Sequence, residues 1–147
     1  MTTPEENPWT PPDDDVVSFL DDYDLRGRDG GDWSGVFSGT FLALDPQRAL
    51  ALTPRQLGAG LPARRKMFTG AGVTALRRVS ARQQRLDDRH VLVRAEWLAE
   101  RPIAPVALAS TFLLRREADH YEIAVYLNHN DLALLLAEPF ENDRSTR

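Results

Sequence analysis

The sequence contains no cysteine and only three histidines. Disulfides, thiolate nucleophiles and zinc-thiolate sites are therefore excluded. None of the histidines, His90, His120 and His129, has the spacing of a metal motif such as His-Glu-x-x-His. A metal would have to rely on carboxylates, and these concentrate in the N-terminal part of the chain. We therefore predict no bound metal and no cofactor.

Long apolar runs are absent as well. The longest stretches, such as residues 132–137, are far too short to span a bilayer. The polar, proline-rich residues 1–12 lack the basic start and the apolar run of a signal peptide. The sequence thus predicts a cytoplasmic protein that has no membrane partner.

Lysine is nearly absent, because 17 of the 18 basic residues are arginine. The net charge is −4, yet residues 1–32 carry ten acidic and two basic groups, whereas residues 64–94 carry nine basic and two acidic groups. Either the basic segment forms a surface for an anionic partner, or both segments are solvated faces of helices and strands. The acidic pI and the lack of a nucleic-acid-binding motif predict no nucleic-acid partner.

A chain of 147 residues is the size of one domain. We predict a flexible leader over residues 1–12, a single domain over residues 13–138 and a C-terminal tail over residues 139–147. Apolar residues at helical spacing predict one helix after Asp13 and a second after Asp32. Residues 48–52 could form a short strand. The capping-box pattern Thr53-Pro54-Arg55-Gln56 predicts a third helix. Pro62 should break or restart this helix, which could resume through Phe68 and end at residues 70–72.

The apolar period becomes extended after Gly72. Four strands are predicted over residues 74–86, 90–99, 106–116 and 121–128, and residues 131–138 could form a closing helix. Short turns between strands indicate an antiparallel meander, and helices followed by a meander indicate an α+β fold. The strands are apolar on both faces, so the second face should also be covered, most simply by another copy of the chain.

Three local stretches resemble the nuclear transport factor 2-like superfamily. They are residues 19–23 followed by Gly31, Asp32, Trp33 and Phe37, then residues 110–116, and then residues 121–127. This resemblance covers residues 16 to about 130. It implies a cone-shaped, strongly curved antiparallel sheet covered by N-terminal helices, with an internal pocket and a homodimer through the outer face. The superfamily includes ketosteroid isomerases, polyketide cyclases, dehydratases and binding proteins without activity, so the fold does not choose among functions.

The resemblance to ketosteroid isomerases assigns possible roles to three residues. Tyr23 looks like the tyrosine that donates to an oxyanion, Ser110 stands where a carboxyl donor is expected, and Asp45 could mimic the base. The Asp45-Pro46 pair is also an ordinary turn signal. Three functions stay open: a protein that binds a small apolar molecule, a cofactor-independent acid/base enzyme of isomerase, cyclase or dehydratase type, and an interaction domain whose pocket is filled by its own side chains.

Strict alternation along the strands assigns residues to the two faces of the sheet. One face carries Trp97, Ser110 and His129, opposite the helical side chains of Tyr23 and Trp33, and we predict that these five residues line or border one ligand pocket. The other face is predicted to pair two copies of the chain. Its central residues are Thr111, Leu113, Ala124 and Tyr126.

Overall fold

The structure is a computed structural model, and it describes residues 8–29, 32–132 and 134–136. Within these ranges, two long helices and six strands form the α+β fold that the sequence predicts. In these ranges, neither helix combines the length and the apolar character needed to cross a membrane. The elements are α1 (Asp14–Asp29), β1 (Phe37–Leu44), β2 (Ala49–Leu52), α2 (Pro54–Gly70), β3 (Ala75–Arg85), β4 (His90–Glu100), β5 (Val106–Glu117) and β6 (His120–Asn128).

All six strands belong to one curved, open sheet in the order β2-β1-β6-β5-β4-β3. The predicted antiparallel meander is confirmed, because β3 pairs with β4, β4 with β5 and β5 with β6, each in antiparallel orientation. The N-terminal strand β1 is parallel to β6 and antiparallel to β2. The last strand therefore lies inside the sheet, between β1 and β5.

Helix α1 has the start that the sequence predicts. Asp14 and Asp15 occupy its first turn, where carboxylates favour the positive end of the helix dipole. Val16 and Leu20 are completely buried. The helix continues through Gly27 to Asp29, because glycine weakens a helix by only about 1 kcal/mol.

The second predicted helix, after Asp32, is wrong. The carboxylate of Asp32 accepts a hydrogen bond from the backbone N–H of Ser34 at 3.0 Å, so it closes a turn in which Gly35 adopts a φ of 82°. Strand β1 follows, with Phe37 and Phe41 buried. A spacing of four residues fits the period of a strand as well as one turn of a helix, and this ambiguity caused the error.

Helix α2 confirms the predicted capping box. The N–H of Gln56 donates to the Thr53 hydroxyl at 3.2 Å, and the N–H of Thr53 donates to the Gln56 side chain at 2.9 Å. The helix is not interrupted at Pro62, but it ends at Gly70, within the predicted end at residues 70–72. Proline removes a single helical hydrogen bond, which this helix tolerates. Gly72, with a φ of 84°, then turns the chain toward β3.

A bulge in β6 changes which of its side chains face the core. Leu113 pairs with Val125, but the next residue of β5, Leu114, pairs with Ile123, so Ala124 is an extra residue. The extra residue reverses the alternation for the rest of the strand. Tyr126 therefore faces the core, where it is buried beside its partner in β5.

The ends of the chain are only partly described. Thr10, within the predicted leader, exchanges two backbone hydrogen bonds of 2.8 Å with Gln83 of β3. Residues 132 and 134–136 are helical, within the predicted closing helix, and Leu136 is buried in the core. The predicted tail, residues 139–147, lies outside the described residues.

Candidate functional site: a cavity between the helices and the sheet

A cavity of about 850 Å³ lies between α1, α2 and the inner face of the sheet, near the start of β3. Its walls carry aromatic rings that come from both helices, from the turn before β1 and from the three strands β1, β4 and β6. The aromatic lining residues are Tyr23, Trp33, Phe37, Phe68, Trp97 and Tyr126.

The aromatic wall is built around the ring of Tyr23, which α1 places over the sheet. Its centroid lies 5.4 Å from the ring of Trp33, 6.2 Å from Trp97 and 5.2 Å from Phe112. The ring of Phe112 stacks on that of Tyr126 at 5.6 Å. Tilted and edge-on contacts at these distances favour a rigid aromatic wall.

One polar group stands out in this wall, the hydroxyl of Tyr126. The Nη1 atom of Arg64, on α2, donates a hydrogen bond to the phenol oxygen of Tyr126 at 3.2 Å. The Arg64 guanidinium also lies over the ring of Phe68, 5.7 Å from its centroid. A cation and a phenol thus meet beside the aromatic wall of the cavity.

The two cavity tyrosines have different acidities. Burial raises the pKa of Tyr23 well above its ordinary value, and neighbouring Tyr126 adds to this effect. Burial also opposes ionisation of Tyr126, but the charge of Arg64 and hydrogen bonds from Arg64, Ser110 and Tyr23 lower the pKa of Tyr126 below its ordinary value. Of the two phenols, Tyr126 is therefore the better proton donor and the one whose ionised form is stabilised.

Asp24 fixes a second part of the wall. Its carboxylate accepts from the indole Nε1 of Trp97 at 2.9 Å and from Arg78, which also contacts Asp21 at 2.7 Å. Burial raises the pKa of Asp24, although the Trp97 hydrogen bond and the Arg78 charge oppose the rise. These contacts hold α1 against β3 and β4 and orient the Trp97 ring.

Several solved structures have the same fold. An NTF-2-like protein of unknown function from Shewanella oneidensis MR-1 aligns with this chain at a TM-score of 0.62 and 15% identity. The alignment covers 80% of this chain and 98% of that protein. Aln2 from a Streptomyces species aligns over 87% of this chain and 99% of its own, with a TM-score of 0.65 and 16% identity. The chain has the nuclear transport factor 2-like fold. The beta subunit of benzoate 1,2-dioxygenase from Burkholderia mallei ATCC 23344 also aligns, with a TM-score of 0.57 and 13% identity, over 82% of this chain and 91% of its own.

Sequence comparisons add nothing to this result. No model of a protein family matches the chain, and no curated protein matches it. The nuclear transport factor 2-like fold is thus recognised from structure, and function has to be argued from the residues of the cavity.

The structure brings four of the five predicted pocket residues together on the inner side of this fold. Tyr23, Trp33 and Trp97 line the cavity, and Ser110 is buried beside Tyr126. The prediction for His129 is wrong: its Nε2 atom lies 2.7 Å from the hydroxyl of Thr111 on the opposite face.

Neither His129 nor Asp45 belongs to the cavity of this nuclear transport factor 2-like fold. Burial and the charge of Arg94 lower the pKa of His129 on the outer face. Asp45 lies in the turn between β1 and β2, where its carboxylate accepts from the backbone N–H groups of Gln47 and Arg48 at 2.7 and 2.8 Å. Asp45 therefore stabilises a turn, as the Asp45-Pro46 pair indicated.

The predicted outer face is partly corrected by the same bulge. Thr111 and Leu113 do lie on the outer face, opposite the buried residues of β5. Ala124 is the extra residue of the bulge. Placing Tyr126 on the outer face is wrong, because its ring lines the cavity and its hydroxyl contacts Arg64.

Arg64 was missed from the sequence, although a signal was present. Leu57, Leu61, Arg64 and Phe68 follow one helical stripe of α2, and all four line the cavity. A charged residue within an apolar stripe indicates a buried polar contact. The second missed residue, Asp24, lies directly after Tyr23 and carried no comparable signal.

Proposed function

We propose that this protein binds a small, predominantly apolar molecule in the cavity between its helices and its sheet. The observation that carries the proposal is the aromatic wall around one convergent polar site, the hydroxyl of Tyr126 with Arg64. Ligand sites in proteins typically combine apolar walls with a few polar groups, in clefts of about 300–1,000 Å³.

The size of the cavity favours ligand binding over a purely structural interior. The cavity has a volume of about 850 Å³ and is partly open to solvent. A pocket closed by its own side chains would leave little more than water-sized voids, because protein interiors are close-packed. This argues for an occupant of several rings rather than for an interaction domain with a filled core.

The proposal is tested with the neutral fluorescent probe N-phenylnaphthylamine, whose emission rises in apolar surroundings. We expect saturable binding, and an increase in the melting temperature as the probe concentration rises. Leu57→Gln and Leu61→Gln should weaken binding several-fold, since each lost apolar contact costs about 1 kcal/mol or more. Both residues are only half-buried on a helix in which no residue is fully buried, so the fold should survive.

Leu25→Gln is the matched control for these two variants, because Leu25 is exposed on α1 and does not line the cavity. It should leave probe affinity unchanged. The binding proposal is contradicted if N-phenylnaphthylamine does not bind, or if all three substitutions reduce its affinity equally.

Proton transfer is the second candidate, and the lowered pKa of Tyr126 favours it. A phenol beside a fixed guanidinium can give up and regain a proton more easily than a free tyrosine. The test follows exchange of the α-protons of tetralone, an enolisable bicyclic ketone, in deuterated water by NMR. Exchange above the buffer rate that Tyr126→Phe abolishes would support an acid/base enzyme, and exchange at the buffer rate would reject it for ketones of this size.

Self-association is a separate part of the proposal. The outer face of the sheet carries a half-buried apolar set, and we propose that a second copy of the chain covers it. Arg94 lies on this face with no carboxylate partner among the described residues, and Glu96 is the next outward-facing residue of β4. A two-fold axis through the face would let each Arg94 approach the Glu96 of the second copy. The apolar set comprises Leu98, Leu113, Val125 and Leu127.

A further inference from the structure

We propose that the cavity selects molecules that carry a single oxyanion, such as a carboxylate, phenolate or enolate, on a flat apolar body, and that Arg64 and the hydroxyl of Tyr126 anchor this group. The inference rests on the proposed binding function and adds the charge of the ligand to it. It is carried by the hydrogen-bonding capacity of Arg64 and by the charges that surround it.

Arg64 has unused hydrogen-bonding capacity. Among the described residues its contacts are the hydroxyl of Tyr126 and the ring of Phe68, and no carboxylate pairs with it. A guanidinium carries five N–H donors in a planar fork that matches a carboxylate, and the contact to Tyr126 occupies one nitrogen. Placing this group in an apolar stripe costs desolvation energy, which an anionic ligand would offset.

Tyr126 can complete the anchor. Its phenol oxygen accepts the hydrogen bond from Arg64, and Ser110 and Tyr23 also hydrogen-bond to it, so its O–H reaches a ligand by turning away from one of these two hydroxyls. The guanidinium and the phenol O–H can then bind the same ligand oxygen or the two oxygens of one carboxylate. Charge-assisted hydrogen bonds of this kind are about twice as strong as neutral ones.

The other charges at the cavity also favour an anion. Five of the lining residues are arginines, and Asp24 is the only carboxylate among the described lining residues. Asp24 is occupied by the indole of Trp97 and by Arg78, so it is not available to a cationic ligand. The lining arginines are Arg28, Arg64, Arg65, Arg77 and Arg78.

A positive charge surplus remains after the ion pairs are counted. Arg77 contacts Glu100 at 3.0 Å, and Arg78 contacts Asp21 and Asp24, whereas Arg64 and Arg65 have no carboxylate partner among the described residues. A cleft lined by one sign of charge concentrates ligands of the opposite sign. The whole chain has a net charge of −4, so the positive charge at the cavity is a local property. It favours the interpretation that the basic residues of segment 64–94 form a surface for an anionic partner.

The test uses two probes that share one aromatic body and differ in charge, anilinonaphthalene sulfonate and the neutral N-phenylnaphthylamine. The wild-type protein should bind the anion about ten- to a hundredfold more tightly, which is the range expected for charge-assisted hydrogen bonds. Arg64→Met, which keeps the length and removes the charge, should abolish this preference, so that the two probes bind with similar affinity. Naphthoate and naphthalene methanol, compared by calorimetry, repeat the test with a carboxylate.

Arg48→Met is the matched control, because Arg48 is exposed in the turn between β1 and β2, away from the cavity. It removes the same charge and should retain the preference for the anion. Arg64→Gln, a second variant, keeps a polar side chain, and urea denaturation of both Arg64 variants verifies that they fold.

The two proposals fail in different ways. If the neutral probe binds and the anion shows no advantage, or if the advantage survives in Arg64→Met and Arg64→Gln, the anion anchor is overturned and the binding function stands. If neither probe binds to the folded wild-type protein, both proposals are overturned.

Discussion

The Nη1 atom of Arg64 lies 3.2 Å from the phenol oxygen of Tyr126 and joins helix α2 to the last strand of the sheet. This contact crosses a separation of 62 residues. It places a cation on the phenol that the bulge at Ala124 turns toward the core. The acidity of Tyr126 and the anion preference proposed for the cavity both depend on it.

The first prediction concerns the acidity of Tyr126. Arg64→Met should raise the pKa of Tyr126, because the charge and the hydrogen bond of Arg64 favour the ionised phenol, whereas burial opposes it. Ultraviolet absorbance of the tyrosinate measures this directly. In the wild-type protein, Tyr126 should ionise well before Tyr23, whose pKa burial raises.

Tyr126→Phe provides the assignment for this titration. It should remove the early transition from the wild-type curve. Arg48→Met, which removes an exposed arginine, should leave the early transition in place. An unchanged curve in Arg64→Met would show that Arg64 does not control the acidity of Tyr126.

Local signals in the sequence predicted α1, α2 and the meander of β3 to β6 but not β1, and long-range geometry decided the site. The capping box at Thr53 and the short turns of the meander depend on neighbouring residues, so the sequence was sufficient to find them. The bulge at Ala124 was not visible, because an extra residue in a strand depends on its pairing with β5. Because of that one residue, Tyr126 faces the cavity and His129 lies on the outer face, the reverse of the prediction. The hydroxyl that Arg64 contacts in the cavity therefore belongs to Tyr126.

The second prediction concerns the pH dependence of stability. Burial raises the pKa of Asp24, so the folded state holds this proton more tightly than the unfolded state does. The associated stability is present at low pH and is lost as the pH rises from the ordinary carboxyl value of 3.8 through the folded pKa. Relative to Asp24→Asn, the wild-type protein should therefore lose free energy of unfolding across this window, as measured by urea denaturation.

Trp97→Phe removes the indole N–H that donates to the Asp24 carboxylate, so it tests the pKa of the same group. The indole N–H lowers the pKa of Asp24, so its removal should raise that pKa further and extend the loss of stability to higher pH. Parallel pH profiles for the wild-type protein and Asp24→Asn would contradict the role assigned to burial.

The third prediction concerns the helix that carries Arg64. Thr53→Ala removes the hydroxyl that accepts from Gln56, and we expect a loss of about 1 kcal/mol in the free energy of unfolding. Gln56→Ala, which removes the reciprocal bond to the Thr53 N–H, should cost less, because the hydroxyl cap itself remains. Urea denaturation measures both losses, and an unchanged stability in Thr53→Ala would show that the cap does not stabilise α2.

The last prediction tests self-association through the outer face. Light scattering at micromolar concentration should give about twice the 16.5 kDa mass of the chain. Leu113→Arg should reduce this to the mass of one chain, because an unpaired charge would be buried at the centre of the interface. Leu25→Arg makes the same substitution at an exposed position of α1 and should leave the dimer intact. A wild-type protein of single-chain mass at every concentration would reject the dimer and favour cover of this face within one chain.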